Sequence, residues 1–271
     1  MNHPVESFFS VLTQAVAEFA LQGYTPELLE KWQRRLRDAA ILSLPLQGAQ
    51  KTVQDHLRAI FRKEVEGRAF LRHHEGIARF TVDRLTPKMR LELDRRILAS
   101  ADLIRLNREQ AIEKTMQRFT GWATSVPVGG SRVVDRVEVK EHIGKSLKQS
   151  RYEQRRVAID QGHKLMSNIN AVLAEDAGAI AMLWRSHWRQ PGYNYRPDHK
   201  ERDKKVYAMR GNWAAGKGLV NKGDGYLDEL TAPAEEPFCR CFGIYLYNLR
   251  DLPADMLTAK GRKMLEAVRV R

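Results

Sequence analysis

Through most of its first 178 residues this chain repeats apolar side chains every three or four positions, a period that admits amphipathic helices and little else. Val5, Phe8, Phe9, Leu12, Ala15, Val16 and Phe19 form one stripe, closed by Gly23. Thr25 is placed to cap a second helix, with Pro26 at its first position and Glu27 and Glu30 in its first turn. Its buried face is predicted as Leu29, Trp32, Leu36 and Ala40, with Pro45 as the stop. Val53, Leu57, Ile60 and Phe61 make a third stripe. A longer helix is expected from a Thr86-Pro87 cap toward Phe119, its seam made by Leu93, Ile97, Ala101, Ile104, Ile112 and Met116. Gly121, Pro127 and Gly129-Gly130 then break the chain. A short amphipathic segment over 133–147 follows, and after it a second long helix with Tyr152, Ile159, Met166, Ile169 and Leu173 on one face and Gly178 at its end. Neither long helix keeps a heptad with opposed e and g charges, which argues against a free coiled coil. The stripes are core faces.

After Gly178 the texture changes. Residues 179–184 are a short apolar run that reads as a buried strand. A polar, basic stretch lasts to Lys205, and Gly211, Gly216, Gly218, Gly223 and Gly225 punctuate what comes next. Phe238, Cys239, Cys241, Phe242, Ile244, Tyr245, Leu246 and Tyr247 are β-prone and aromatic, with Gly243 as a bulge, and residues 260–271 close the chain as a basic helix or tail. The expected fold class is mainly α with a small α+β C-terminal unit: long helices in the N-terminal and middle regions, short strands after residue 178. The layout predicted is a helical body over 1–120, a Gly/Pro linker over 121–132, an α+β module over 133–257 and a basic tail over 258–271.

At 271 residues, with 43% hydrophobic and 29% charged side chains, the chain has the balance of a folded protein. Its 46 Lys and Arg against 33 Asp and Glu give a net charge of +13, which favours a polyanionic neighbour without naming one. The most apolar stretch, 8–21, is interrupted by Gln14 and Glu18 and falls short of a span, so no membrane partner is expected. No basic region precedes it and Glu6 stands there instead, which argues against a signal peptide. Two cysteines, Cys239 and Cys241, make no disulfide framework.

Several chemistries can be weighed. Cys239-Arg240-Cys241 with His187 and His199 holds enough nitrogen and sulfur for zinc, but a Cys-x-Cys pair in a strand lacks the two-residue knuckle usual for that ion, so the thiols are read as packing groups and no metal is expected. Asp198, His199, Glu201 and Asp203 resemble parts of a metal-dependent nuclease, yet Lys200, Arg202, Lys204 and Lys205 between them suggest ordinary ion pairs. The glycines at 211, 216 and 218 lack the Gly-Lys-Ser/Thr of a phosphate loop, and no hydrolase elbow, zincin helix or dinucleotide fingerprint is present. No catalytic or cofactor-binding residue is assigned, and no enzyme activity is expected. Basic clusters at Arg34-Arg35-Arg37, at Arg151-Arg155-Arg156 and in the tail form no DNA-reading motif, so the charge is read as non-specific contact with DNA or docking on an acidic protein.

An ordered set of features spans Tyr152 to Tyr247. Residues 156–161 (Arg-Val-Ala-Ile-Asp-Gln) and Asn170 share a helix that leads through a glycine to Trp184-Arg185-Ser186. Arg196-Pro197-Asp198-His199 follows, then Pro233 with Glu235-Glu236, then Phe238-Cys239-Arg240-Cys241. In this order the chain resembles the head-morphogenesis (Mu F-like minor head) proteins of tailed bacteriophages. It departs from them in its charged run 200–205, and Tyr193-Asn194-Tyr195, Asp228-Glu229 and 250–253 look like a podophage-type variant. The resemblance implies a structural virion protein: a head-to-tail connector, or adaptor, assembling as a ring on the portal protein beside tail or neck proteins, with its C-terminal tail free to dock on a neighbouring copy. The alternatives are a minor head protein associated with packaged DNA and a non-specific DNA-binding protein. Localisation would be the virion, and the host cytoplasm during assembly. Within the motif, His199 and Arg196 are expected to bond the strand-loop junction, Trp184 to fill the core beneath it, and Arg240 to pair with Glu235 or Glu236.

Overall fold

The three N-terminal stripes become three helices in the computed structural model, which describes residues 4–74, 76–130 and 136–269: α1 (Pro4–Gln22), α2 (Pro26–Ser43) and α3 (Leu46–Phe61). Phe8, Leu12, Ala15, Val16 and Phe19 of α1 are buried. The Leu28 N–H of α2 donates to Thr25 Oγ1 at 3.2 Å, the expected cap. Its inner face is Leu28, Trp32, Leu36 and Ala40, one residue off the prediction at its start, with Leu29 only half-buried.

The two long helices are longer than their periodicity suggested. α4 (Arg79–Ala123) runs straight through Thr86 and Pro87, so the predicted cap is no cap: the Thr86 hydroxyl donates back to the Val82 carbonyl at 2.9 Å. A proline inside a helix costs about 3 kcal/mol. Here it stands on the exposed side, where water can reach the released carbonyl, while Val82, Leu85, Met89 and Leu93 continue the buried stripe past it. α4 also takes up Gly121, which leaves 124–130 as the observed break. Residues 131–135, where the predicted segment over 133–147 begins, lie outside the described residues. From Arg136 that segment and the next are one helix, α5 (Arg136–Asp176). No proline falls within it, and buried Ser146 and Ser150 carry the inner face across the polar stretch between the apolar ones. Its seam is Ile143, Leu147, Val157, Leu165, Ile169 and Leu173, whereas Tyr152 and Ile159 are exposed.

Two compact units emerge, residues 1–54 with 99–157 and residues 55–98 with 158–271. The described residues of the first form helices and turns, with a core that joins Phe8, Phe19, Trp32, Phe119, Ile143 and Leu147. The Trp32 indole donates to Glu18 Oε2 at 2.8 Å, which satisfies the one polar atom of that buried ring.

The second unit holds a three-stranded antiparallel sheet in the order β2-β1-β3: β1 (Ala181–Arg185) at the centre, β2 (Val206–Ala208) and β3 (Phe242–Leu246) beside it. The two-residue period of a strand separates its faces. One packs Ala181, Val206 and Ala208 on Leu219, Leu252 and Met256; the other buries Met182, Trp184, Tyr207 and Tyr245 with both cysteines. Gly243 is no bulge, since it pairs in register with Trp184. A Cβ there would lie 2.2 Å from Met182 Sδ, so the position needs glycine for closeness rather than for a bend. β2 escaped the sequence reading because three residues are too few to show a period. After two one-turn helices, α6 (Pro197–Glu201) and α7 (Trp213–Gly216), the C-terminal segment is α8 (Ala259–Arg269), docked on its own unit and not free. Thr258 Oγ1 accepts from the Gly261 N–H and donates to the Gly218 carbonyl, and Leu265 packs against the sheet's first core. Among the described residues no helix is long and apolar enough to cross a membrane.

Candidate functional site

The motif segments meet on the Trp184 face of the sheet in the second unit. His199 stands on a one-turn helix, α6 (Pro197–Glu201), opened by a proline at its first position. Its ring lies edge-on to the Trp184 indole, centroids 5.6 Å apart, and both are fully enclosed. Cys239 and Cys241 come from the loop that leads into β3, not from the strand itself. Both sulfurs lie 3.4 Å from His199 Nδ1. The three residues are 1%, 1% and 2% exposed, and one donor atom from each falls within 4.8 Å of the others. His187, the other histidine weighed for zinc, packs instead against the Phe242 ring at 5.5 Å.

The loop that presents the thiols is held in a conformation its residues do not favour. Ala234 and Phe238 both take positive φ, 65° and 59°, a left-handed region costing about 1–2 kcal/mol for a residue with a Cβ. Side chains from α5 offset that cost. Asp160 Oδ1 accepts the Phe238 N–H at 2.6 Å while Lys164 Nζ sits 2.9 Å from its other oxygen, and the Ser167 hydroxyl donates to the Pro233 carbonyl. Arg196 adds a third tie, its Nε 2.5 Å from Glu236 Oε2 and its Nη2 donating to the Pro237 carbonyl at 3.0 Å. Arg196 therefore takes the role expected of Arg240. Arg240 turns the other way, over the Tyr193 ring at 5.2 Å and onto Gln190 Oε1 at 3.1 Å.

The two thiols share their protons unequally. Cys241 donates to the Cys239 sulfur, which also accepts the Cys241 and Ala234 N–H groups, so Cys239 ionises well below the usual thiol range. Cys241 is driven upward by that same hydrogen bond, by burial and by the neighbouring charge. The pair holds one negative charge readily and a second only with help.

Three buried polar atoms around the cluster lack a hydrogen-bond partner of normal geometry: His199 Nε2, Trp184 Nε1 and the Ser186 hydroxyl. Asp198 and Glu236 carboxylate oxygens stand 3.7 and 3.8 Å from the first. The other two act on the Cys241 sulfur, favouring its ionised form against burial.

Asp198 and Asp203 are held in structural contacts, while Glu201 is exposed. Asp203 accepts the Ser186 N–H at 2.9 Å and the Trp188 indole at 3.1 Å, and Arg202 pairs with Asp198 at 2.7 Å. Burial alone would raise the Asp203 pKa; these donors outweigh it and hold the carboxyl low.

A second buried network was not foreseen. His74 Nε2 reaches Asn170 Oδ1 at 3.0 Å, its Nδ1 reaches the Tyr247 hydroxyl at 2.5 Å, and its ring stacks on Tyr245 at 5.4 Å. Asn170 carries a signal as part of the motif, and Tyr245 and Tyr247 as part of the aromatic strand; His74 lies 96 positions away from Asn170 in sequence. No protein-family model matches this chain, and neither a curated protein nor a solved structure does.

Proposed function

We propose that this chain is a structural virion protein of a tailed phage, a head-to-tail connector that assembles as a ring on the portal protein. The observation that carries the reading is that the scattered segments of the resemblance are one another's partners. Asp160 holds Phe238, Trp184 lies under His199, Arg196 holds Glu236, and His199 meets both cysteines. A sealed knot of this kind specifies a fold, whereas a hydrolase needs its polar groups open to substrate.

An unpartnered surface supports the ring. On α4, Phe80, Leu91 and Leu98 are 71%, 68% and 69% exposed and fall eleven and seven residues apart, close to three and two helical turns. They make one apolar line along a long helix, the shape that packs against the same helix of a neighbouring copy. A minor head protein lying against packaged DNA is the second reading, favoured by the net charge of +13.

The test is copy number in purified particles, by quantitative mass spectrometry against the portal protein. A one-to-one ratio supports the connector, a ratio well below one supports the minor head protein, and absence from the particle refutes both. In recombinant protein, replacing Leu91 and Leu98 together by Gln should lower the oligomer population without changing the helix content.

A further inference from the structure

We infer that His199, Cys239 and Cys241 form a binding site for one zinc-class divalent ion. This does not depend on the virion reading. A Cys-x-Cys pair held within a strand would count against zinc, and this pair does not lie in one. It sits in a loop between a left-handed Phe238 and β3, which turns both sulfurs onto one imidazole nitrogen.

The distances suit the ion. Zn–S near 2.3 Å and Zn–N near 2.05 Å at a tetrahedral angle place sulfur and nitrogen about 3.5 Å apart. Both sulfurs lie 3.4 Å from His199 Nδ1. An ion there would touch Nδ1 and leave Nε2 facing the Asp198 and Glu236 carboxylates at 3.7 and 3.8 Å, close enough for attraction but longer than the hydrogen bond of a carboxylate–histidine–metal triad.

Charge and polarity agree. Two thiolates and a divalent cation sum to zero, so the filled site is neutral and buries no uncompensated charge. Trp184 Nε1 and the Ser186 hydroxyl, buried beside the Cys241 sulfur without a hydrogen bond of normal geometry, are donors of the kind that steady metal-bound thiolates. Soft sulfur with imidazole selects zinc-class ions over magnesium or calcium. These three side chains supply three of the four ligands of a tetrahedral ion.

The experiment uses the full chain, reduced and stripped of metal, titrated with Co²⁺ and then Zn²⁺. One equivalent of Co²⁺ should give thiolate-to-cobalt charge-transfer absorption and the intense visible bands of a four-coordinate ion, and one equivalent of Zn²⁺ should remove both. Cys239→Ser and Cys241→Ser should each lose stoichiometric binding. Should those variants fail to fold, reactivity decides the matter in the natural chain: bound Zn²⁺ should protect both thiols from a thiol-specific dye. Absence of the charge-transfer band, or two thiols equally reactive with and without Zn²⁺, overturns the site. Binding that persists at full stoichiometry in a folded Cys239→Ser variant does so as well.

Discussion

Lowering the pH should loosen the second unit through His74, a histidine buried against Asn170, Tyr245 and Tyr247. Burial is the main cause that holds its pKa down, to about 4 from an ordinary 6.5; the charge on His73 pushes the same way and the Asn170 hydrogen bond pushes back. The geometry explains the direction. Asn170 Oδ1 can only accept, so Nε2 carries the proton, and Nδ1 takes the Tyr247 hydroxyl donor. The neutral ring is thus fully satisfied, and a second proton would land on the nitrogen Tyr247 already serves. Because the folded pKa is depressed, the unfolded chain binds more protons between pH 6.5 and 4, and stability falls as pH falls through that window. The gap between 6.5 and about 4 corresponds to about 3 kcal/mol, complete only below pH 4. Carboxylates protonate over part of the same range, so a difference measurement is needed. Urea unfolding of the natural chain and of His74→Gln, at pH 7.0, 5.5 and 4.5, should give parallel profiles except for this term. The variant should be the less stable at pH 7 and should lose about 2.5 kcal/mol less on acidification to pH 4.5. NMR titration of the His74 ring supplies the direct check. A ring that titrates near 6.5, or a variant with an unchanged pH slope, would falsify the reasoning.

Other perturbations test the packing. Gly243→Ala places a Cβ into the Met182 thioether and should cost about 1–3 kcal/mol in thermal or urea unfolding, partly recovered in a Met182→Ala background; no cost, or no recovery, argues against the contact. Asp160→Ala leaves the Phe238 N–H and Lys164 without their shared acceptor and should cost about 1–3 kcal/mol, whereas Asp160→Asn keeps an oxygen in place and should cost less; equal losses would mean that the hydrogen bond is not what matters. At Gly261 a Cβ would lie 2.2 Å from the Leu219 carbonyl oxygen, so Gly261→Ala should shift α8 and raise hydrogen exchange at the Thr258 N–H, which donates to that carbonyl. Unaltered exchange there would mean that α8 does not need that closeness.

The parts of this fold legible in one dimension are those whose cause is local. The α1 stripe, the Thr25 cap with Pro26 behind it, and the aromatic run that becomes β3 each follow from residues within a turn or two of one another. Pro87 shows the limit. Its local signal is a helix start, and it was overruled because Val82, Leu85, Met89 and Leu93 gain more by staying on one buried face than the proline loses. In α5 the polar stretch between two apolar segments looked like a boundary, yet buried Ser146 and Ser150 show the inner face running across it.

The candidate site divides the same way. Its residue types were visible from the start, and Arg196, His199, Trp184 and the cysteines were all singled out. Their partners were not, because an arginine's choice between two glutamates depends on which way a loop turns. That turn depends on left-handed Ala234 and Phe238, held by Asp160 and Ser167 from a helix some seventy positions earlier. What the sequence by itself determined was the helical periodicity, the two textures of the chain and the inventory of side chains able to do chemistry. Only the tertiary structure decided that two thiols and one imidazole face each other in a buried site, since that closeness is produced by long-range packing and no local pattern encodes it.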